Sequence, residues 1–218
     1  MTCREKRLLF IMVAIVSTAF GNSANAQTLD ESLQNIEGDW VSATRISNNK
    51  QQAKKLKILL RDVRAIHEGH PLSAEAAVWH GLVARSYMDA KSRTGYSSIA
   101  REALDAFLSA ETLNPTVFGG LVYANLGALY SGAPSKFGGF GNKTKGLGYF
   151  WKAIVVDPDG LYSNYLYARM LVDEKDYIAA HDALLRASQA ADSYLHPTAE
   201  RARRAEIAEL LEAIERRL

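Results

Sequence analysis

The chain has 218 residues, of which 48% are hydrophobic and 23% are charged, a balance that excludes a disordered or collagen-like protein. Its length suits one domain with an accessory segment. Residues 1–26 hold three of the 26 basic side chains and one of the 24 acidic ones, so the remainder of the chain is neutral. Because general nucleic-acid binding needs a clustered basic surface, a neutral body argues against it.

The first residues have the pattern of a secretory signal peptide. Three basic residues between positions 4 and 7 precede an apolar run, residues 8–20, and Ala24-Asn25-Ala26 follows it. As a helix this run would rise about 20 Å, which is short of the roughly 30 Å hydrocarbon core of a membrane. We therefore expect cleavage after Ala26 and a periplasmic mature protein with no membrane span. Its oligomeric state does not follow from the sequence.

The middle of the chain repeats itself without a gap at a period of 43 residues. The matching residues are small, aromatic or helix-ending: Ala84 with Gly127, Tyr87 with Tyr130, Phe107 with Phe150, Ala110 with Ala153, and Asn114-Pro115 with Asp157-Pro158. Apolar residues at helical spacing predict two helices in each unit. In the second helix of each unit, a small residue, an aromatic residue and an alanine share one face, which lets the paired helix approach closely.

Further units flank these two. A shorter third unit follows, a degenerate leading unit containing Trp40 precedes, and a helix opened by Pro197 is expected to cap the last unit. The apolar side of that cap is formed by Ile207, Leu210, Leu211, Ile214 and Leu218. We predict a signal peptide at 1–26 and one helical domain at 27–218, with units at about 29–70, 72–115, 117–158 and 161–190 and a cap at 196–218.

These residues resemble the tetratricopeptide repeat (TPR) family. Leu126-Gly127 with Tyr130 matches the first-helix signature of that family, and Asp176-Tyr177 followed by Ala180 is similar to a second-helix opening. The resemblance implies an all-α fold, a right-handed array of antiparallel helix pairs (a TPR-like α-solenoid) with a C-terminal capping helix. The period and the absence of alternating strand patterns independently favour an all-α array.

A narrower resemblance concerns the long turns between paired helices, above all the turn that includes Ala133-Pro134 and Gly138-Gly139. Over residues 72–190 they look like an exported bacterial subgroup that includes the T component associated with TRAP-type transporters. Two functions follow as expectations. The first is a non-catalytic module that holds a protein or peptide partner; the alternative is an accessory subunit of a solute-uptake system, whose partner is a solute-binding or transporter subunit.

Chemical motifs are incomplete throughout the chain. Asn142 interrupts the Gly-Lys-Thr order that a phosphate loop requires. His67-Glu68-Gly69-His70 lacks the spacing and helical continuity of a zinc motif, and favours a helix end with cationic side chains near its carbonyls. The only cysteine, Cys3, lies in the predicted leader. We expect no catalytic site, no metal and no cofactor.

One candidate binding groove remains. The TPR resemblance implies that first helices line a concave face, with the residue after the small position pointing inward, which selects Arg85 and Arg169. Tyr162 and Tyr165 share a helical stripe with Arg169. Two guanidinium groups beside exposed phenol rings would hold a carboxylate of an acidic peptide or of its C-terminus. The competing interpretation is that both arginines pair with acids on adjacent helices and that the tyrosines are packing.

Overall fold

The computed structural model describes residues 21–91, 96–135, 139–191 and 197–218, and in these ranges the chain is helical, with no strand. Two features of the sequence, the apolar leader at 8–20 and Gly138, lie outside the described residues. The helices in the described ranges are α1 (Gly21–Thr44), α2 (Asn49–Gly69), α3 (Ala74–Ala90), α4 (Tyr96–Leu113), α5 (Leu121–Gly132), α6 (Lys143–Val156), α7 (Leu161–Asp173), α8 (Tyr177–Gln189) and α9 (Pro197–Glu215).

These helices form an array of antiparallel pairs. Helix α1 packs on α2, α3 on α4, α5 on α6, and α7 on α8, while contacts of α2 with α3, α4 with α5 and α6 with α7 join successive pairs. Helix α9 packs against α8 at the end of the array. The all-α helical repeat array predicted from the sequence is confirmed, including its final capping helix.

Short polar side chains start several of these helices. Asn48, Ser73, Asn142 and Asp176 are the N-cap residues of α2, α3, α6 and α8, and each accepts a hydrogen bond from a backbone N–H of the first turn. Such caps satisfy amide groups that have no partner within the helix. The sequence therefore encodes the starts of these helices locally, at the turns that precede them.

Close helix contacts rely on small residues that face buried aromatic rings. Phe107 and Phe150 are almost fully buried. A Cβ atom added at Gly81 would lie 2.7 Å from the Phe107 ring, and one added at Gly127 would lie 2.9 Å from the Phe150 ring. Carbon atoms do not approach this closely without displacement. The two glycines therefore fix how near α3 comes to α4 and how near α5 comes to α6.

Helix α9 covers the last pair through part of its predicted apolar side. Ile207 and Ile214 are buried, whereas Leu218 is 64% exposed because the helix ends at Glu215; the assignment of Leu218 to the covered side was wrong. The Arg204 guanidinium donates to the backbone carbonyls of Ser188, Ala190 and Ala191. These bonds tie α9 to the end of α8, as cations do when they satisfy the last carbonyls of a helix.

Candidate functional site

A cavity of about 250 Å³ lies between the first half of α9 and several earlier helices. Side chains from α1, α2, α3, α5, α7 and α9 line it, so distant parts of the sequence meet there. We name it the arginine cavity after its charged lining residues, which are Arg45, Arg85, Arg169 and Arg203 with the acids Asp89 and Glu206. Four guanidinium groups against two carboxylates make the lining suited to an anionic group.

The structure brings three of the four predicted groove residues to this cavity. Arg85, Tyr162 and Arg169 line it. Tyr165 does not fit the expectation of an exposed phenol, since it is only 3% exposed. Its hydroxyl donates to Oε2 of Glu206 at 2.7 Å, which holds the ring behind the cavity wall. Tyr162 is half-buried, so the prediction that both rings are exposed was wrong.

Arg85 is held by a neutral partner. Its Nη1 donates to Oδ1 of Asn125 at 2.5 Å, and Asn125 in turn donates from Nδ2 to the Leu121 carbonyl at 2.9 Å. Burial lowers the pKa of Arg85, and the positive charges of Arg169 and Arg203 lower it further, against the opposing effect of Asp89. A guanidinium with a lowered pKa still carries its charge at neutral pH. The expected pairing with an acid on an adjacent helix is not what holds Arg85.

Arg169 stands at the exposed edge of the cavity. Its guanidinium carbon lies 5.9 Å from the centre of the Tyr165 ring, within the range of a cation–π contact. Within the part of the chain that the structure describes, no carboxylate forms an ion pair with it. Arg169 is therefore available to a carboxylate that enters the cavity.

Arg203, on α9, was missed by the sequence reasoning. Its guanidinium carbon lies 4.3 Å from the centre of the Tyr165 ring and 5.6 Å from that of Tyr162, and Nη1 pairs with Glu206. Burial lowers the pKa of Arg203, but Tyr165 and Glu206 raise it by more, so the net shift is upward. The spacing of Arg203 and Glu206 on one helical face was a usable signal, which the assignment of α9 as a cap obscured.

Two polar atoms at the cavity are buried without a hydrogen-bond partner among the described residues. They are the Tyr162 hydroxyl and Nε of Arg203. Burial raises the pKa of Tyr162, an effect that Arg203 partly opposes, so this hydroxyl keeps its proton at neutral pH and acts as a donor. An unsatisfied buried polar group costs about 1–3 kcal/mol. A ligand with acceptor oxygens would remove that penalty once the two side chains turn toward it, because neither atom is open to the cavity.

The histidine motif considered for zinc ends a helix, as the sequence favoured. His70 is the C-cap of α2, and its Nδ1 lies 3.0 Å from the carbonyl oxygen of Ile66. His67 points elsewhere and contacts His80. Among the described residues, no group of three or more histidine, cysteine or acidic side chains has the geometry to hold a metal ion.

Comparison with solved structures supports the fold. TTC0263, a TPR protein of Thermus thermophilus, aligns with a TM-score of 0.52 and 13% identity over 86% of this chain and 94% of its own. PilF of Pseudomonas aeruginosa aligns with a TM-score of 0.33 and 19% identity over 86% of this chain and 93% of its own. The first alignment establishes a TPR-like fold, and a fold alone does not fix a function.

No protein-family model and no curated protein matches the chain. In the described ranges, none of the helices has both the length and the apolar character that crossing a membrane would require.

Proposed function

We propose that this chain is an exported, TPR-like, non-catalytic interaction module that binds a protein or peptide partner through a carboxylate in the arginine cavity. The observation that carries the proposal is the pair of unsatisfied buried groups, the Tyr162 hydroxyl and Nε of Arg203, beside the charged Arg85 and Arg169. Guanidinium groups present paired N–H donors that match the two oxygens of a carboxylate.

The size of the cavity limits what enters it. Sites for drug-sized ligands and cofactors usually measure about 300–1,000 Å³, whereas the arginine cavity measures about 250 Å³. A carboxylate on a glutamate side chain or at a chain terminus fits this space better than a nucleotide does. The remainder of such a partner would lie outside, along the exposed edge that Arg169 marks.

Glu206 places a negative charge in the lining of the arginine cavity. It accepts hydrogen bonds from Tyr165 and Arg203, and its side chain remains half exposed. An entering carboxylate would meet a like charge and compete for Arg203. Exchanging Glu206→Gln keeps an oxygen acceptor for Tyr165 while removing the charge, so it should tighten binding by roughly threefold to tenfold.

Binding of a labelled tetraglutamate peptide, followed by fluorescence anisotropy in low salt, tests the proposal. A tetraglutamine peptide with an amidated C-terminus is the uncharged probe. Arg85→Ala and Arg169→Ala should each weaken tetraglutamate binding at least about tenfold, since charge-assisted hydrogen bonds contribute about 1.5–3 kcal/mol. Arg61→Ala is the matched control because Arg61 is 73% exposed and pairs with Asp62 away from the cavity.

Two outcomes would remove the cavity assignment: equal binding of the two peptides, or unchanged tetraglutamate binding in both cavity variants. Arg85→Ala leaves the buried Asn125 oxygen without its partner, so the melting temperature of each variant is measured alongside. Arg169 is exposed, and its variant keeps the test valid if Arg85→Ala unfolds.

Export is the second part of the proposal. The described buried side chains of α1 begin with Leu33, so cleavage after Ala26 would remove only the start of that helix and leave these side chains in place. We expect osmotic shock to release a protein that begins at Gln27. A full-length species retained in the membrane, identified by intact mass, would contradict both the cleavage and the periplasmic location.

The accessory-subunit alternative differs in its partner. Affinity capture of the mature protein from the exporting cell should recover a solute-binding or transporter subunit if the T-component resemblance reflects a role in uptake. Recovery of other proteins with acidic segments, and of no uptake subunit, would favour the general interaction module.

A further inference from the structure

A chain of polar contacts crosses three helices at the joint between the first two helix pairs. Nδ1 of His67 on α2 lies 2.9 Å from Nδ1 of His80 on α3, and the two rings meet edge to face. Nε2 of His80 donates to Oε1 of Glu102 on α4 at 2.7 Å. Arg64 on α2 donates to the same oxygen from Nε and Nη2, at 3.0 and 2.7 Å.

The contact between the two imidazoles needs one proton and excludes a second. The Glu102 carboxylate fixes a proton on Nε2 of His80, so the His67 contact concerns only the two Nδ1 atoms. One Nδ1 must carry a proton and the other must accept it. The pair can therefore hold one positive charge, on either ring, and keep its hydrogen bond. If both rings are charged, two N–H groups face each other and the bond is lost.

Charged groups face the pair from α2 and α4. Helix α2 supplies Arg64 and Glu68, and α4 supplies Glu102 together with Arg101 and Asp105, which line the adjoining cavity. The rings border a cavity of about 460 Å³ that opens to solvent, so protons reach them.

His67 resists protonation in this setting. Burial lowers its pKa, and the neighbouring His80 lowers it further, while Glu68 opposes the shift. The folded protein therefore takes up a proton on His67 less readily than the unfolded chain does.

We propose that the His67–His80 pair is a proton-operated joint that holds α2 against α3 at neutral pH and releases that contact when both rings are charged. The joint matters for the arginine cavity because Gln52 and Leu56, also on α2, line it. The link between the joint and ligand binding rests on the proposed function, whereas the joint itself rests on the contact geometry of His67 and His80.

Two tryptophans report on the joint. The rings of Trp40 on α1 and Trp79 on α3 lie 5.8 Å apart at 70°, and Nε1 of Trp40 donates to Oγ of Ser86 at 2.8 Å. Trp79 directly precedes His80 in the chain. Movement of the first helix pair should therefore change their fluorescence, which is best measured in a Trp151→Phe background because Trp151 is 58% exposed.

The sign of the pH effect follows from the lowered pKa of His67. Below about pH 6.5 the unfolded chain binds more protons at this residue than the folded protein does, so stability is lost as the pH falls. Between pH 7.5 and 5.5 the melting temperature of the wild type should fall by about 2–4 °C more than that of His67→Gln. Glutamine keeps a donor and an acceptor near His80 but does not titrate.

His181→Gln is the matched control, since it removes a partly buried histidine from α8, away from the joint. It should retain the pH dependence of the wild type. An equal pH dependence in His67→Gln and the wild type would overturn the joint.

A pH titration of the wild-type protein, followed by ¹⁵N NMR of its imidazole nitrogens, tests the joint without any substitution. The His67 imidazole should titrate below the pH at which an exposed imidazole does, with the Trp40 and Trp79 fluorescence following that step. Titration of His67 at the pH of an exposed imidazole, or fluorescence that does not change across the His67 step, would contradict the proposal.

Tetraglutamate binding at pH 7.5 and 5.5 then tests the link to the cavity. Weaker binding at pH 5.5 in the wild type, and not in His67→Gln, is expected. No binding at either pH would refute the proposed function while the NMR result still decides the joint. Binding that is equal at both pH values would remove the link between them.

Discussion

The helix pairs α3–α4 and α5–α6 match residue for residue at the 43-residue period, but the two pairs carry different chemistry. His80 and Glu102, which meet across α3 and α4, correspond to Tyr123 and Lys145 in the second pair. Arg85, which reaches into the arginine cavity, corresponds to Ala128. Of the polar groups proposed to sense protons and to bind a carboxylate, His80, Glu102 and Arg85 therefore belong to the first pair, and different residue types stand at the equivalent positions of the second.

The second pair uses its polar residues for packing. The rings of Tyr130 and Tyr149 are stacked, with centroids 5.6 Å apart at 2°. Nζ of Lys145 donates to the Tyr130 hydroxyl at 2.8 Å and lies 4.2 Å from the centre of that ring. Lys152 lies 4.7 Å from the Tyr149 ring. These cation–π contacts pack Lys145 and Lys152 against the tyrosine rings of α5 and α6.

The comparison teaches that two layers of sequence are separable in this array. Phe107 and Phe150 occupy equivalent buried positions, and the small residues facing them set the helix spacing in both pairs. Residues outside this small-and-aromatic framework, such as His80 and Arg85, differ between the two pairs. Repeats tolerate such variation because each one is stabilised mainly by contacts with its immediate neighbours.

The largest expected effect comes from removing the framework rings. Phe107→Ala and Phe150→Ala should each lower the free energy of unfolding by about 3–5 kcal/mol, since each leaves a large cavity in close-packed surroundings. Urea denaturation followed by circular dichroism measures the loss. Trp151→Ala is the matched control, because this aromatic residue on α6 is 58% exposed and its loss should cost much less. A loss at one ring several times smaller than at the other would show that the two pairs are not equivalent in packing.

An exchange of the small residues should have a smaller effect. Gly127→Ala copies the first pair, which has Ala84 at this position, but its Cβ would lie 2.9 Å from the fully packed Phe150 ring. We expect the free energy of unfolding to fall by about 1–3 kcal/mol, as it does when a packed core is overfilled.

The reverse exchange, Ala84→Gly, should also destabilise, by about 1 kcal/mol, because glycine is a poor helix former. Ala84 is fully buried, so lost packing adds to this effect. Thermal unfolding of both variants gives the comparison. A more stable Gly127→Ala protein would mean that the Phe150 ring moves aside easily and that glycine is not required there.

The sequence was sufficient for the fold because the fold depends on local, repeated signals. Capping residues such as Ser73 and Asp176, and the recurring small and aromatic positions, specify helix pairs without reference to distant residues. The division into units and the export signal remain predictions. Arg85, Tyr162 and Arg169 line one cavity, and their role in binding remains a prediction.

The rest of the site depends on how distant helices meet. Arg203 approaches Tyr162 and Tyr165 only because the first half of α9 lies beside α7. No periodic pattern in the sequence encodes this position of α9. The histidine pair had a weak signal. His67 precedes the turn at Pro71 and His80 follows it, so the two residues lie on adjacent antiparallel helices, where they can meet. The partner of His67 is therefore on the neighbouring helix, and the spacing between His67 and His70 does not indicate it.

The smallest expected effect concerns an exposed ion pair at the start of α6, in the second helix pair. Nζ of Lys143 at the start of α6 contacts Oε1 of Glu174 at 2.5 Å, with the two side chains 73% and 46% exposed. Exposed ion pairs contribute about 0–1 kcal/mol, because water screens the charges and two mobile side chains must be ordered. Lys143→Ala should therefore shift the urea midpoint very little. Arg64→Ala should shift it more, since Arg64 donates two hydrogen bonds to the less exposed Glu102.

The same Lys143 variant checks the rejected phosphate-loop interpretation: tetraglutamate binding should stay unchanged, and nucleotide binding that depends on Lys143 would contradict the assignment of this segment as a turn that leads into α6.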